Sequence, residues 1–282
     1  MTQRISIVMN TWNEEHNLPW SLGSVHSWAD EIVVVDMHST DRTREVAEQY
    51  GAKVYLHEWL GYSEPARAFA IEKAQGDFVL LLDADEMIPA PLSRALRALA
   101  NEGNYDIVKL ARSNYMFGEK VEHSGWGPEQ DRHFRFFRKG SLSTTAEIHK
   151  YMHPAEGARI HHMRADADHC IVHFNYDDVT QFIEKLNRYT TVEAQQAKAQ
   201  GQQESGWSTM LKVLGELFNR YLKKGGYRDG WRGFYLSLLM AFYRIGTAAK
   251  LTELNAEMGS ERARARYREI AEELLRGYST TK

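Results

Sequence analysis

A single cysteine, Cys170, stands in a chain of 282 residues. One thiol cannot close an internal disulfide, and so sparing a use of cysteine fits a reducing compartment. Also missing is any run of the roughly 20 apolar residues that a membrane-spanning helix needs. The opening Met-Thr-Gln-Arg-Ile-Ser lacks the apolar segment of a secretory signal, so a cytoplasmic protein is expected. Neither sign of charge dominates. Lys and Arg number 35 against 38 Asp and Glu, and the formal net charge of −3 gives no general affinity for nucleic acid. Residues 10 to 17 contain no glycine, which removes both a Gly-x-Gly-x-x-Gly dinucleotide fingerprint and a Gly-Lys-Ser/Thr phosphate loop after the first strand. No internal repeat or low-complexity tract is evident.

What is present is alternation. Ile5 to Met9, Glu31 to Asp36 and Lys53 to Leu56 read as short apolar strands. Helical patterns follow them: Glu15 to Trp28, a segment capped by Ser39-Thr40-Asp41 and running toward Tyr50, and Ser63 to Ala74. Asp77 to Met87, Asp-Phe-Val-Leu-Leu-Leu-Asp-Ala-Asp-Glu-Met, is an apolar run that stops in acids, as a buried parallel strand does at the carboxyl edge of a sheet. A helix over Pro91 to Ala100 and a strand over Asp106 to Ala111 continue the series. The pattern predicts an α/β fold with a mostly parallel sheet and helices on both faces, occupying residues 1–178, and a helical appendage over 179–282.

Asp83 and Asp85 lie two apart, so strand geometry would point them the same way, and two hard carboxylates together suit Mg²⁺ or Mn²⁺ holding a diphosphate. The alternative is an acidic cluster that caps the next helix. With no glycine loop, nucleotide contacts must come from side chains such as Asn13, Glu14 and Asp36, although Asn13 and Glu14 also suit a helix cap and first turn. The Asp36 carboxylate can accept from the ring N–H of a uracil or from a ribose hydroxyl. Arg67 either faces the base or diphosphate or is solvated helix surface.

Three ordered segments, Ile5-Ser-Ile-Val-Met-Asn-Thr-Trp-Asn-Glu-Glu, Ala29-Asp-Glu-Ile-Val-Val-Val-Asp-Met-His-Ser-Thr-Asp and Gly76-Asp-Phe-Val-Leu-Leu-Leu-Asp-Ala-Asp-Glu, resemble the family 2 glycosyltransferases of GT-A fold. Trp126 through Arg138, Glu184 to Tyr189 and Gly225 to Trp231 are similar to the subgroup that adds a β-linked hexose to the inner core of lipopolysaccharide. The resemblance implies inverting transfer from a UDP-hexose, with Asp83 and Asp85 as the Asp-x-Asp acids on the metal. It implies donor contacts from Thr11, Asn13, Glu14, Asp36, Ser39, Arg67, Asp83 and Ala84. Residues 1–111 would then be the nucleotide-sugar half and 112–178 the acceptor half. This chain departs from the family's Asp-Asp-Gly-Ser at Asp36-Met37-His38-Ser39, where Met and His accept a positive φ less readily than Gly.

Displacement at an anomeric carbon also needs a general base opposite the departing diphosphate. Residues 114–138, aromatic and loop-like, carry Glu122, Glu129 and Asp131. Counting back from Arg138 on the subgroup's Pro-Asp-x-Gln-x-Arg-Leu-Phe-Arg pattern selects Asp131 and puts His133 in place of the Gln; counting forward from Trp126 and Pro128 selects Glu129. Trp126 either stacks on a sugar or is core. Ile148-His149-Lys150 resembles the subgroup's Val-His-Glu, which implies His149 as a metal ligand or diphosphate donor. His161, His162, His169, Cys170 and His173 lie close in sequence, but strand alternation would scatter them over two faces, so a zinc site is not expected.

In the appendage, Leu211, Leu214, Leu217 and Phe218 make one helical stripe, and Gly233 to Tyr243 is an apolar, aromatic segment between Arg232 and Arg244. It suits either contact with the anionic inner leaflet of the cytoplasmic membrane or a core or dimer helix. A homo-oligomer fits the second option. Two other function classes remain: an Asp-x-Asp phosphatase, whose acids ordinarily follow the first strand, and a non-catalytic nucleotide-sugar sensor.

Overall fold

The computed structural model describes residues 2–59, 64–143 and 152–279. The first 102 residues alternate strand and helix: β1 (Ile5–Thr11), α1 (Leu18–Gly23), β2 (Glu31–Asp36), α2 (Thr43–Gln49), β3 (Lys53–Leu56), α3 (Glu64–Lys73), β4 (Phe78–Leu81), β5 (Glu86–Met87) and α4 (Ala90–Glu102). Strands dominate the next 74: β6 (Ile107–Met116), β7 (Glu119–Lys120), β8 (Arg132–Arg138), β9 (Leu142–Ser143), β10 (His153–Pro154), β11 (Ile160–His162) and β12 (Ile171–Tyr176). Helices follow: α5 (Val179–Ala199), α6 (Gly206–Leu217), α7 (Gly230–Asn255) and α8 (Ser260–Ser279).

The main sheet runs β3-β2-β1-β4-β8-β6-β12-β5. Pairs β1/β2, β2/β3, β1/β4 and β6/β12 are parallel, and β8 enters antiparallel between β4 and β6. The mostly parallel sheet expected from the sequence is therefore the observed one. Strands buried on both faces need apolar residues at every position, and alternate residues of β1 and β4 serve opposite cores. Ile5, Ile7, Met9 and Leu80 pack with Leu18 and Leu22 of α1 and Leu92 and Leu96 of α4. Val8, Val79 and Leu81 pack with Ala66 and Ala70 of α3.

One local expectation is corrected. The central strand ends at Leu81, and Ala84 and Asp85 form a turn before β5, so the two-residue period that would align Asp83 with Asp85 stops short of them. The turn is set by Glu86, whose Oε2 accepts from the Asp83 amide at 2.9 Å.

Two compact units are present: residues 1–182 with 219–236, and residues 183–218 with 237–282. The boundary expected after residue 178 lies four residues before the first division, and 219–236 return to the first unit. Within the second unit, Lys250 Nζ donates to Asn187 O, Asn187 Oδ1, Thr190 Oγ1 and Thr191 Oγ1 at 2.7 to 2.8 Å, tying α7 to α5. Beyond Gly233 the apolar segment to Tyr243 is mixed: Leu236, Ser237 and Ala241 are buried while Tyr235, Leu238 and Phe242 are exposed. Among the described residues no helix is long and apolar enough to cross a membrane.

Candidate active site

The carboxyl ends of β1 and β2 lie side by side, Thr11 paired with Asp36, and the loops leaving them are stitched together. Asp36 is fully buried. Its carboxylate accepts from the Ser39 amide at 3.0 Å, from the Ser39 hydroxyl, and from Thr11 Oγ1 at 3.5 Å. Ser39 Oγ in turn accepts from the Asn13 amide at 2.8 Å, and Asn13 Oδ1 accepts from the Thr40 amide at 2.8 Å. The Glu14 amide donates to Thr43 Oγ1 at 2.8 Å, and its Oε2 accepts from Asn17 at 2.9 Å. Thr11, Asn13, Glu14, Asp36 and Ser39 are thus gathered into one pair of loops. Asp36 turns both oxygens to its own loop and fixes its shape. That grip holds two non-glycine residues in the left-handed region, Asn13 at φ 57° and His38 at φ 60°, the latter standing where the family pattern has glycine.

At the end of β4 the two aspartates diverge. Asp83 Oδ1 accepts from Arg67 Nη2 at 2.7 Å and Oδ2 from Arg135 Nη2 at 2.8 Å. Burial alone would raise its carboxyl, but Arg135 and then Arg67 outweigh that and hold it well below the usual carboxylate range. Asp85 points toward β12, where its Oδ2 lies 3.5 Å from His173 Nε2. Ala84, between them, is buried. Arg67, expected at either the ligand or the solvent, is an ion-pair partner of the acidic turn.

The acceptor-side acid joins the same network. On β6, Arg112 and Asn114 are two apart and share a face; on β8, His133 and Arg135 do likewise. Asp131, just before β8, is buried and accepts from Arg112 Nε at 2.9 Å, Arg112 Nη2 at 3.0 Å and Asn114 Nδ2 at 2.7 Å, with His133 Nε2 at 2.6 Å. Burial opposes its charge, but the hydrogen bond from His133 and the charge of Arg112 overcome this and drive its pKa far down. His133 is pushed below its ordinary 6.5, chiefly by burial. Glu86 lies beneath, fully buried, 3.0 Å from Arg135 Nη2 and 3.4 Å from Arg112 Nη1. Glu129, the competing acid, is 77% exposed and pairs with Arg132 at 2.7 Å.

Asn114 closes the circuit. Its Nδ2 donates to Asp131 and to the Trp126 carbonyl, which leaves its Oδ1 to accept from His173 Nδ1 at 2.6 Å. With Nδ1 turned to Asn114, His173 Nε2 is the ring nitrogen that faces a carboxylate oxygen of Asp85. Two such atoms turned toward each other are a donor set that Mn²⁺ or Mg²⁺ satisfies, with substrate phosphate oxygens filling the rest of the shell. Among the described residues no group of three His, Cys, Asp or Glu is assembled to hold a metal by itself. Asp83 is committed to its two arginines, and His149 lies outside the described residues. The other histidines near Cys170 are dispersed: His161 lies tilted against Tyr105 with ring centroids 4.7 Å apart, and His169 pairs with Asp166 at 2.5 Å. Trp126 carries the Arg220 guanidinium over its ring at 4.5 Å.

The sequence reading gave no role to Arg112, Asn114, Arg135 or Glu86, and weighed His173 only as part of a zinc cluster. One signal was readable: three arginines and a histidine in Arg132-His-Phe-Arg-Phe-Phe-Arg138 sit on a strand otherwise apolar, and a strand's inward charges demand partners.

The family model for glycosyl transferase family 2 matches residues 6–159. The lipopolysaccharide core biosynthesis glycosyltransferase LpsC of Rhizobium meliloti (strain 1021) is 29% identical over 259 residues, 86% of this chain and 90% of that one. An uncharacterized glycosyltransferase of Rickettsia bellii (strain RML369-C) is 26% identical over 265 residues, 91% of this chain and 89% of that one. Among solved structures, the mannosyltransferase PcManGT from Pyrobaculum calidifontis, in complex with GDP-Man and Mn²⁺, aligns with a TM-score of 0.48 and 16% identity over 89% of this chain and 88% of that one.

Proposed function

The chain belongs to glycosyl transferase family 2, and from that premise we propose that it moves a hexose from a UDP-sugar to a sugar or glycolipid acceptor of the lipopolysaccharide-core kind, with inversion at the anomeric carbon. The observation that carries the proposal is the closed circuit Asp85, His173, Asn114, Asp131, Arg112, Glu86, which joins the acidic turn to the acceptor-side acid. The likeness to LpsC over most of both chains supports the acceptor class. An acceptor anchored in lipid would bring the enzyme to the inner face of the cytoplasmic membrane.

In the reaction the acceptor oxygen forms a bond to the anomeric carbon, and the bond from that carbon to the diphosphate oxygen breaks, its electron pair leaving with UDP. Asp85 and His173 would hold a divalent cation, which when bound neutralises charge on the diphosphate. The acceptor's proton passes to Nδ1 of His133, while Asp131 accepts from the other ring nitrogen and stabilises the imidazolium that forms. So strongly depressed a carboxyl is a weak base on its own but an effective partner for an imidazole. Thr11, Asn13 and Ser39 shape the wall against which the nucleoside lies, with Glu14 and Ala84 at its margins. Arg67 and Arg135 supply positive charge beside the diphosphate.

The test is transfer of radiolabelled hexose from UDP-glucose or UDP-galactose to truncated lipopolysaccharide cores. Wild-type protein should label an acceptor, and His133→Gln and Asp131→Asn should each lower turnover about 100-fold or more while UDP still binds. Hydrolysis of simple phosphate esters with no sugar transferred would contradict the proposal.

A further inference from the structure

The Gly225–Trp231 segment, which the transfer chemistry leaves without a role, belongs to a strap that packs on the acceptor loop. Residues 219–236 fall in the same compact unit as residues 1–182. Asp229 accepts from the amides of Glu122 and His123 at 3.2 Å and 3.0 Å, and the Ser124 amide donates to the Lys224 carbonyl at 3.2 Å. Arg220 Nη1 donates to the Ser124 carbonyl at 2.7 Å while its guanidinium lies over the Trp126 ring, and Trp231 stacks on Phe117 with centroids 5.9 Å apart. These contacts bring two cationic heads to one glycine. A β-carbon on Gly125 would lie 2.9 Å from Arg220 Nη1 and 3.1 Å from Lys224 Nζ. Gly125 has φ at 95°, a conformation that side-chain-bearing residues resist, and its bare backbone leaves room for both heads.

We propose that Arg220 and Lys224 form an anion subsite for the acceptor, which takes a phosphate or carboxylate carried by the acceptor glycan. Charge selects the ligand. Residues 219–236 hold five bases, Arg220, Lys223, Lys224, Arg228 and Arg232, against one acid, Asp229, whose two oxygens are turned to backbone amides, in a chain whose net charge is −3. Like charges gathered at one glycine repel, and an anion touching both removes the repulsion and gains a charge-assisted hydrogen bond from each. Arg220, Lys224, Gly125 and Trp126 are all half-buried, so the heads are held in place on a loop that a ligand still reaches. Position selects the acceptor rather than the donor. The Trp126 carbonyl accepts from Asn114 Nδ2 at 2.8 Å, the nitrogen that also donates to Asp131 at 2.7 Å, and the Gly127 carbonyl accepts from the Asp131 amide at 2.9 Å. An anion at Gly125 therefore sits on the loop that carries the acceptor-side acid, while the donor diphosphate has Arg67 and Arg135 at the acidic turn. The assignment rests on the acceptor side of the proposed transfer and names what that acceptor carries.

The full chain is titrated, without donor, with core oligosaccharides released from truncated lipopolysaccharide, either intact, dephosphorylated or carboxyl-reduced. Intact cores should bind at least about tenfold more tightly than one of the treated cores, and the treatment that weakens binding identifies the group. Lys224→Met keeps the backbone clip to Ser124 and should weaken binding of the intact core about tenfold, and Arg220→Lys severalfold, because it keeps the charge but not the planar fork. Neither should weaken binding of the core that already lacks the anion. Arg94→Gln, which removes the same charge from the exposed side of α4, should leave binding as it was. In the transfer assay the Lys224→Met loss should fall on the acceptor KM rather than on kcat. Equal binding of all three cores, binding of none, or a Lys224→Met loss as large on the anion-free core would each overturn the subsite. Tight, anion-dependent binding with no hexose transferred would uphold the subsite and count against the transfer reaction instead.

Discussion

Arg112 holds Asp131 in a fork, Nε to Oδ2 at 2.9 Å and Nη2 to Oδ1 at 3.0 Å, while its remaining nitrogen faces the buried Glu86 at 3.4 Å. One guanidinium therefore answers for two interior carboxylates. Arg112→Ala leaves Glu86 with Arg135 alone and Asp131 with only Asn114 and His133, and should destabilise the fold by about 3 kcal/mol, the low end of the range for removing one partner of a buried pair. Arg112→Lys keeps the charge but not the fork, and should fall between. Urea denaturation of the three proteins measures this; equal midpoints would contradict it.

The second prediction concerns the cation. Chelation should stop transfer and Mn²⁺ restore it. Asn114 fixes the ring orientation and proton position of His173, so Asn114→Leu should raise the Mn²⁺ concentration for half-activation about 10–100-fold. Activity curves against added Mn²⁺ decide the matter, and full turnover in chelator would count against Asp85 and His173 as holders of the ion.

A third prediction is pH dependence, set away from the site. Asp106 binds Arg159 through two hydrogen bonds of 2.9 Å, and its pKa falls from 3.8 to about 2, chiefly through the hydrogen bond from Arg159. A carboxyl lower in the folded than the unfolded chain stabilises fully above the unfolded value and loses its contribution as pH falls through the folded one. The pair should therefore stabilise the fold modestly at neutral pH, by an amount that solvent screening reduces. Asp106→Asn should show that deficit at pH 7 and lose it between pH 4 and 2, as read by denaturation at each pH.

Gly127 gives a fourth. A β-carbon there would sit 2.0 Å from the Glu122 carbonyl oxygen, and the Gly127 carbonyl accepts from the Asp131 amide at 2.9 Å. Gly127→Ala should displace the acceptor loop, costing about 1–3 kcal/mol of stability and most of the turnover, with UDP affinity retained. Calorimetry beside the transfer assay separates the two effects.

Much of this was legible in the chain because parallel strands buried on both faces must be apolar throughout, and β1, β2 and β4 announce themselves that way. Asp83 and Asp85 could be found from their place after such a run. Their directions could not, since nothing local reveals that the strand stops at Leu81 and that the Glu86 carboxylate ties the turn. His173 was hidden for a different reason. Its neighbours in sequence drew attention to a zinc cluster, whereas its function comes from register: β12 sets it beside Asn114 of β6 and opposite Glu86 of β5. Leu211, Leu214 and Phe218 were visible as a helical period, but a period does not say whether it faces a core or the outside, and here all three are exposed.

The most direct measurement is calorimetric titration of UDP, with Mn²⁺ present, into wild-type, Asp85→Asn and His133→Gln proteins. Binding by wild type and His133→Gln, with loss in Asp85→Asn of about 100-fold or more, is the predicted result. Undiminished binding by Asp85→Asn would contradict the assignment of the acidic turn to the nucleotide.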